Sequence, residues 1–332
     1  MTQSSILVTG GAGFIGSHTC KMLAAEGYVP VSLDNLSTGN REDVQWGPFV
    51  HADVRDTDRV SEAIRTHRVK AVLHFAASAY VGESVEKPAL YYDNNIKGIL
   101  SLLEACRATD VDNVIFSSSC ATYGIPETLP ITEAAEQRPI NPYGRTKLIG
   151  EQILRDFSQA YGIRHVILRY FNACGADPDG QLSEKHRPET HLIPLALMAA
   201  GANLPHLEVF GDDYDTADGT CVRDYIHVCD LADGHVRALR HLEGQGGNLA
   251  VNLGSGKGHS ILEVVAAVLA VTGREVPLKL GPRRQGDPPI LLADPANARR
   301  ELGFEARFSD IETIIRHTAP TFGLEVSDVG RG

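Results

Sequence analysis

Apolar and polar positions in the first half of the chain fall into two alternating rhythms. Short apolar runs at residues 6–9, 28–33, 49–52, 71–75 and 113–117 have the length of buried strands. Between them, apolar residues recur at helical spacing, most clearly at 17–23, 56–67, 88–108 and 142–161. Repeated strand–helix units predict a parallel sheet with helices on both faces. The C-terminal strand ends of such a sheet gather at one edge, where ligands bind. Beyond residue 172 the rhythm loosens into a loop-rich stretch near 175–188, then short strands and helices. The expected fold is α/β: a Rossmann-type doubly wound parallel sheet over residues 1–175 and a smaller C-terminal α/β substrate lobe over 176–332, with later segments able to return to the first sheet. The chain shows no internal repeat, low-complexity tract or long linker.

The first strand runs straight into Gly10-Gly11-Ala12-Gly13-Phe14-Ile15-Gly16, and a helix follows. Glycines at 10, 13 and 16 permit a tight turn, close approach of backbone to a pyrophosphate, and close packing of helix on strand. The free amides and dipole of the helix start then face the phosphates, which brings Phe14 and Ile15 into the set. The second apolar run ends at Asp34-Asn35, eighteen residues past Gly16. An acid there accepts hydrogen bonds from a ribose diol and repels a 2′-phosphate, so NAD is expected in preference to NADP. Asp53-Val54 and Phe75-Ala76-Ala77 lie at further strand ends and are candidates for adenine and nicotinamide-ribose contacts.

On the 142–161 helix, Tyr143 and Lys147 stand one turn apart and share a face. A free phenol, with a pKa near ~10, is a poor base at neutral pH. A neighbouring ammonium favours its phenolate, so Lys147 is expected to pull the pKa of Tyr143 down.

Composition narrows the possibilities. The 332 residues are 43% hydrophobic and 22% charged, ordinary for a globular protein, with a formal net charge of −11. Lys and Arg are scattered, which argues against nucleic-acid binding; an anionic ligand would need a few arginines gathered locally. No apolar run reaches membrane-spanning length, and the N-terminus lacks the pattern of a signal peptide, so a cytoplasmic protein is expected. The six cysteines form no C-x-x-C pair and read as reduced. The thirteen histidines show no H-E-x-x-H or comparable spacing, so no metal is expected.

With the glycine motif at 10–16, Ser117-Ser118-Ser119, Tyr143-x-x-x-Lys147, Arg169-Tyr170-Phe171-Asn172 and Val222-Arg223-Asp224-Tyr225-Ile226-His227 in this order, the chain resembles the extended short-chain dehydrogenase/reductase family. Val81-Gly82-Glu83-Ser84-Val85, Tyr91-Tyr92-Asp93-Asn94-Asn95 and Arg283-Arg284-Gln285-Gly286-Asp287 extend the likeness, over about residues 5–320, to its UDP-sugar 4-epimerase branch. That resemblance implies a homodimer and a bound NAD that takes and returns hydride at C4 of UDP-glucose and UDP-galactose, by way of a 4-keto sugar. Ser119 and Tyr143 would contact the sugar 4-hydroxyl, Lys147 the nicotinamide ribose, and Asn94 and Tyr170 the cofactor. Asn172, Arg223, Arg284 and Asp287 would hold the UDP-sugar, the arginines on the diphosphate and Asp287 on the uridine ribose. Leu291 occupies a position tied to sugar selectivity, where a bulky residue tends to exclude N-acetylated sugars. UDP-pentose or broader UDP-hexose 4-epimerisation, and a non-catalytic NAD-sensing role, are the competing readings.

Two departures from the family pattern stand out. Cys120-Ala121-Thr122-Tyr123-Gly124 follows the serines where many members have Ala-Thr-Val-Tyr-Gly, and Cys120-Ala121 also replaces the acid-containing pair of dehydratase- and decarboxylase-type relatives. Ala79-Tyr80 stands where a lysine near the cofactor is common.

Overall fold

The computed structural model describes residues 3–284 and 287–327. Its strands are β1 (Ser5–Thr9), β2 (Val29–Asp34), β3 (Phe49–His51), β4 (Val69–His74), β5 (Asn113–Ser119), β6 (Arg164–Tyr170), β7 (Asn172–Cys174), β8 (Leu207–Phe210), β9 (Val222–His227), β10 (Leu249–Leu253), β11 (Gly258–Ser260), β12 (Leu278–Gly281) and β13 (Ile290–Leu291). Seven of them form one parallel sheet in the order β10-β6-β5-β4-β1-β2-β3. The strand order reverses around β1, so the crevice beyond the ends of β1 and β4 is the place for a ligand.

Side-chain alternation along the central strands feeds two cores. Leu7 and Val72 point into a cluster with Val60, Ile64, Ile99, Leu102 and Leu154, beneath helices Thr57–His67, Lys97–Ala108 and Pro142–Tyr161. Ile6 and Val8 point the other way, to Leu23, Leu231, Leu239 and Phe304, beneath helices Phe14–Ala25 and Val228–Glu243. The sheet is therefore buried on both faces, as its near-continuous apolar strands require. Residues 249–253 extend this sheet by pairing with β6, although they come long after residue 175. A third core, with Ile193, Leu197, Val264, Val268 and Ile314, lies beneath helices Leu192–Ala200, Ile261–Thr272 and Ile311–Thr318. Beside it, β9 pairs with β7, β11 and β13.

One expected element is broken. Residues 88–108 form a short helix Pro88–Tyr91, a π-helical turn Tyr92–Ile96 and the helix Lys97–Ala108. An extra residue within one turn leaves the apolar spacing on either side nearly unchanged, and such turns gather at functional sites. Among the described residues, no helix is long and apolar enough to cross a membrane.

Candidate active site

The glycine turn is built as its spacing requires. Gly10 has φ +75°, and a Cβ there would lie 2.7 Å from the Ala76 amide nitrogen. At Gly16 a Cβ would lie 2.1 Å from the Gly10 carbonyl oxygen, which forces the close helix–strand packing. Gly13 differs, since its Cβ would meet only the Gly10 oxygen at 3.3 Å. A Cβ at 13 would crowd that one backbone oxygen and otherwise meet nothing within 4 Å, which leaves the other side free for a pyrophosphate's approach. Helix Phe14–Ala25 starts at Gly13 without a side-chain cap, leaving first-turn amides for an anion. The donor set thus fits a dinucleotide.

Asp34 is buried at the end of β2. Its Oδ2 accepts from the Ala12 amide (3.1 Å) and its Oδ1 from the Leu36 amide (2.8 Å). A carboxylate has about four lone-pair sites, so acceptor capacity remains for a ribose diol. Asp53 lies at the same edge but bonds Arg55 (2.8 Å) and Asn35 (3.0 Å), and Arg55 holds its carboxyl well below the usual range. Val54 packs into the core, while Phe75, Ala76 and Ala77 line the crevice half-buried after β4. Asn94 sits in the π-helical turn and donates to the Ser78 hydroxyl (3.3 Å). Asn95, which the sequence reading did not single out, binds the Ser78 backbone and the Thr146 hydroxyl (2.9 Å). It thereby ties the strand end to the helix carrying Tyr143 and Lys147.

Asn141 caps that helix by accepting from the Gly144 amide (2.8 Å), so Tyr143 and Lys147 both fall in its first two turns. Their shared face is as expected; their electrostatics are not. Burial pushes the Tyr143 phenol up to about 12, opposed by a hydrogen bond with Ser119, and Lys147 does not offset it. The Lys147 ammonium donates to the Ser117 carbonyl (2.7 Å), 5.9 Å from the centre of the Tyr143 ring. Burial pulls its own pKa down to about 8, with Glu151 acting against that shift. The expectation that Lys147 lowers the phenol pKa is corrected: in so dry a site desolvation outweighs a charge that a carbonyl already engages. Burial also raises the Tyr170 phenol, which lies close enough to Tyr143 to interact with it.

Beneath the pair lies a network that sequence reasoning missed. Glu151, fully buried, accepts from the Ser118 hydroxyl (2.6 Å) and from Arg169 through two nitrogens (2.9 and 2.7 Å). Arg169 also donates to Tyr123, whose hydroxyl donates to Asn252 of β10 (2.7 Å). The i, i+4, i+8 spacing of Tyr143, Lys147 and Glu151 is the signal that would have found it.

The remaining candidates lie beyond β6, several of them on or beside β9. Asn172 donates to the Asp224 carbonyl (2.9 Å), and Leu291 lies opposite Arg223 in the β13–β9 register. The Asp224 side chain is wholly buried and accepts from the amides of Ser255 and Gly256, so it does not pair with Arg223. Arg223, its side chain 12% exposed, donates to the Val222 carbonyl (2.9 Å) and, among the described residues, has one loose carboxylate contact, 3.9 Å from Asp287. A guanidinium without a close carboxylate can receive an anion. Its charge reaches the Cys120 thiol beside Ser119. Arg284 stacks on Phe210 at 3.9 Å. Gln285 and Gly286 lie outside the described residues. Leu291 and Cys120 pack against one apolar cluster with Tyr123, Ile131, Phe171 and Ala293.

This fold and site define a class. The chain belongs to the NAD dependent epimerase/dehydratase family, whose model matches residues 6–254. Within it, the chain is similar to UDP-glucose 4-epimerases. The one from Rhizobium meliloti (strain 1021) is 52% identical over 93% of this chain and 94% of its own length. Among solved structures, UDP-glucose 4-epimerase from Brucella ovis in complex with NAD is 62% identical, with a TM-score of 0.96 over 98% of this chain and 100% of that one. The enzyme from Bifidobacterium longum in complex with NAD+ and UDP is 40% identical, with a TM-score of 0.90 over 95% and 97%.

Proposed function

We propose that the chain inverts C4 of UDP-glucose and UDP-galactose, using NAD without net redox change and passing through a transient 4-keto sugar. The observation that carries this reading is a buried Tyr143–Ser119–Lys147 group with Arg223 in electrostatic reach of the neighbouring Cys120, the nearest carboxylate to Arg223 among the described residues being 3.9 Å away. Bound NAD supplies the acceptor and donor of hydride at C4. Tyr143 removes the 4-hydroxyl proton and later returns it, Ser119 orients that hydroxyl, and Lys147 spans from the Ser117 carbonyl toward the cofactor ribose. Asp34 favours NAD by repelling a 2′-phosphate.

Inversion requires the keto sugar to turn while its nucleotide stays fixed. Arg223 and Arg284 clamp the diphosphate, Asp287 and Asn172 hold the nucleotide, and remote binding energy retains the intermediate. The walls near the sugar, Cys120, Phe171 and Leu291, are apolar and resist the turn little. At 120–121 elimination finds no catalyst: Ala121 carries no proton, and burial pushes the Cys120 thiol up to about 12, so it stays neutral.

Purified protein is to be incubated separately with UDP-galactose, UDP-xylose and UDP-N-acetylglucosamine without added NAD. UDP-glucose from UDP-galactose with no NADH released is the expected result; a 4-keto-6-deoxy product overturns the reading. Arg223→Ala should raise KM for UDP-galactose about 10- to 100-fold, the size of a lost charge-assisted contact, with NAD content unchanged. An unaltered KM would remove Arg223 from the substrate site.

The homodimer reading rests on Leu90, Tyr92 and Leu100, exposed along the 88–108 segment, with Tyr161 exposed at the end of the neighbouring long helix. Light scattering should give twice the chain mass for wild type and a single-chain mass for Leu100→Glu. A monomeric wild type rules out that interface.

A further inference from the structure

Helix Val228–Glu243 lies across the sheet from the helix that carries Tyr143 and Lys147, and it sends one imidazole to the strand between them. His235 is wholly buried, and its two ring nitrogens have different partners. Nδ1 lies 2.8 Å from the Leu231 carbonyl one turn back, and Nε2 lies 2.9 Å from the Ser117 hydroxyl. The ring also packs against Phe75 (4.5 Å between ring centres) and Tyr170 (6.2 Å), at the ends of β4 and β6.

These partners fix where the hydrogens sit. A carbonyl oxygen only accepts, so Nδ1 carries the ring hydrogen. Burial draws the imidazole pKa down to about 4, so the ring is neutral and Nε2 is a bare lone pair. The Ser117 hydroxyl therefore donates to Nε2. With its hydrogen committed there, the Ser117 oxygen can take a hydrogen bond from the Tyr170 phenol beside it but cannot give one.

Ser117 is where β5 needs an anchor. Pairing of β5 with β4 ends at Phe116, so from Ser117 onward the strand is held along its β6 edge alone. Yet the Ser117 carbonyl receives the Lys147 ammonium (2.7 Å), and Ser119 follows two residues on. The side-chain tether to His235 replaces the hold that the ended ladder no longer gives.

We propose that His235 is a positioning residue for proton and hydride transfer: a neutral imidazole that pins the Ser117 hydroxyl, keeps the Ser117 carbonyl on Lys147 and backs Phe75 and Tyr170. The inference rests on the epimerase reading for the reaction it serves. Being wholly buried, His235 acts through Ser117 and not on the sugar, so its loss should fall on kcat and spare substrate affinity.

His235→Phe keeps a flat ring and removes the acceptor, whereas His235→Gln returns an amide oxygen near the place of Nε2. In NAD-loaded protein, His235→Phe should lower kcat for UDP-galactose by about 10- to 100-fold, the cost of a small misplacement, with KM unchanged. His235→Gln should recover most of that loss. Ser117→Ala should lower kcat too, and adding it to His235→Phe should cost little more, because both substitutions cut one contact. Equal losses in the Phe and Gln variants, a rise in KM alone, or additive effects of the two substitutions overturn the proposal. Nitrogen NMR of histidine-labelled protein reads the contact without turnover. Wild type should show a neutral ring with its hydrogen on Nδ1, whose Nε2 signal moves in Ser117→Ala and is absent from His235→Gln. A hydrogen on Nε2 instead, or no signal that moves in Ser117→Ala, overturns the proposal even where His235→Phe fails to fold. A wild type that leaves UDP-galactose unchanged refutes the epimerisation and leaves that spectrum readable, so the two failures are separate results.

Discussion

Replacing Tyr143 with phenylalanine should lower epimerisation of UDP-galactose by about 10²-fold or more, while UDP-sugar affinity and NAD content stay near wild type. The ring is only 7% exposed, and phenylalanine keeps its shape, so packing is preserved and only the oxygen is lost. That oxygen is the group proposed to move a proton at C4. Burial holds the phenol at about 12 and pulls Lys147 down to about 8, so the oxygen works as a base only where its phenolate is stabilised. Steady-state kinetics with UDP titration of the same preparation checks the prediction. A Tyr143→Phe enzyme with near-full turnover assigns the proton to another residue.

Much of this arrangement is legible in the sequence because it is local. The glycine turn, Asp34 at a strand end, and Tyr143 one helical turn from Lys147 each follow from a spacing set by a single element. Strands at 49–52 and 113–117 and helices at 56–67 and 142–161 lie close to Phe49–His51, Asn113–Ser119, Thr57–His67 and Pro142–Tyr161. What stays hidden depends on partners distant in the chain. In β6 the apolar run is interrupted by His165 and Arg169, both buried, and the burial of Arg169 makes sense only once Glu151 is beside it. The π-helical turn adds one residue to a turn without disturbing the apolar spacing around it. The direction of the Tyr143 shift was misread for a related reason: a helical wheel shows the neighbouring charge but not the loss of water around the phenol.

Glu151→Ala should destabilise the protein by about 3–5 kcal/mol, since it leaves the Arg169 guanidinium buried and unpaired. Arg169 is 3% exposed and Glu151 wholly buried, so water cannot replace the lost partner. Domains are commonly stable by only about 5–15 kcal/mol, and the loss should lower the melting temperature by roughly 10 °C. The double variant Glu151→Leu with Arg169→Met removes both charges together and should recover a large part of the loss. Stability also depends on pH in a defined direction. Arg169, Ser118 and Gln137 hold the Glu151 carboxyl below its usual value of 4.5 against the opposing effect of burial. Its contribution is thus present above about pH 4.5 and is lost as pH falls through the depressed folded value. Glu151→Ala should show less acid destabilisation than wild type over that window in denaturant titrations. If the single variant melts within a degree or two of wild type, the network does not hold the catalytic helix against β5 and β6. Lys147 would then owe its place to the Ser117 carbonyl alone.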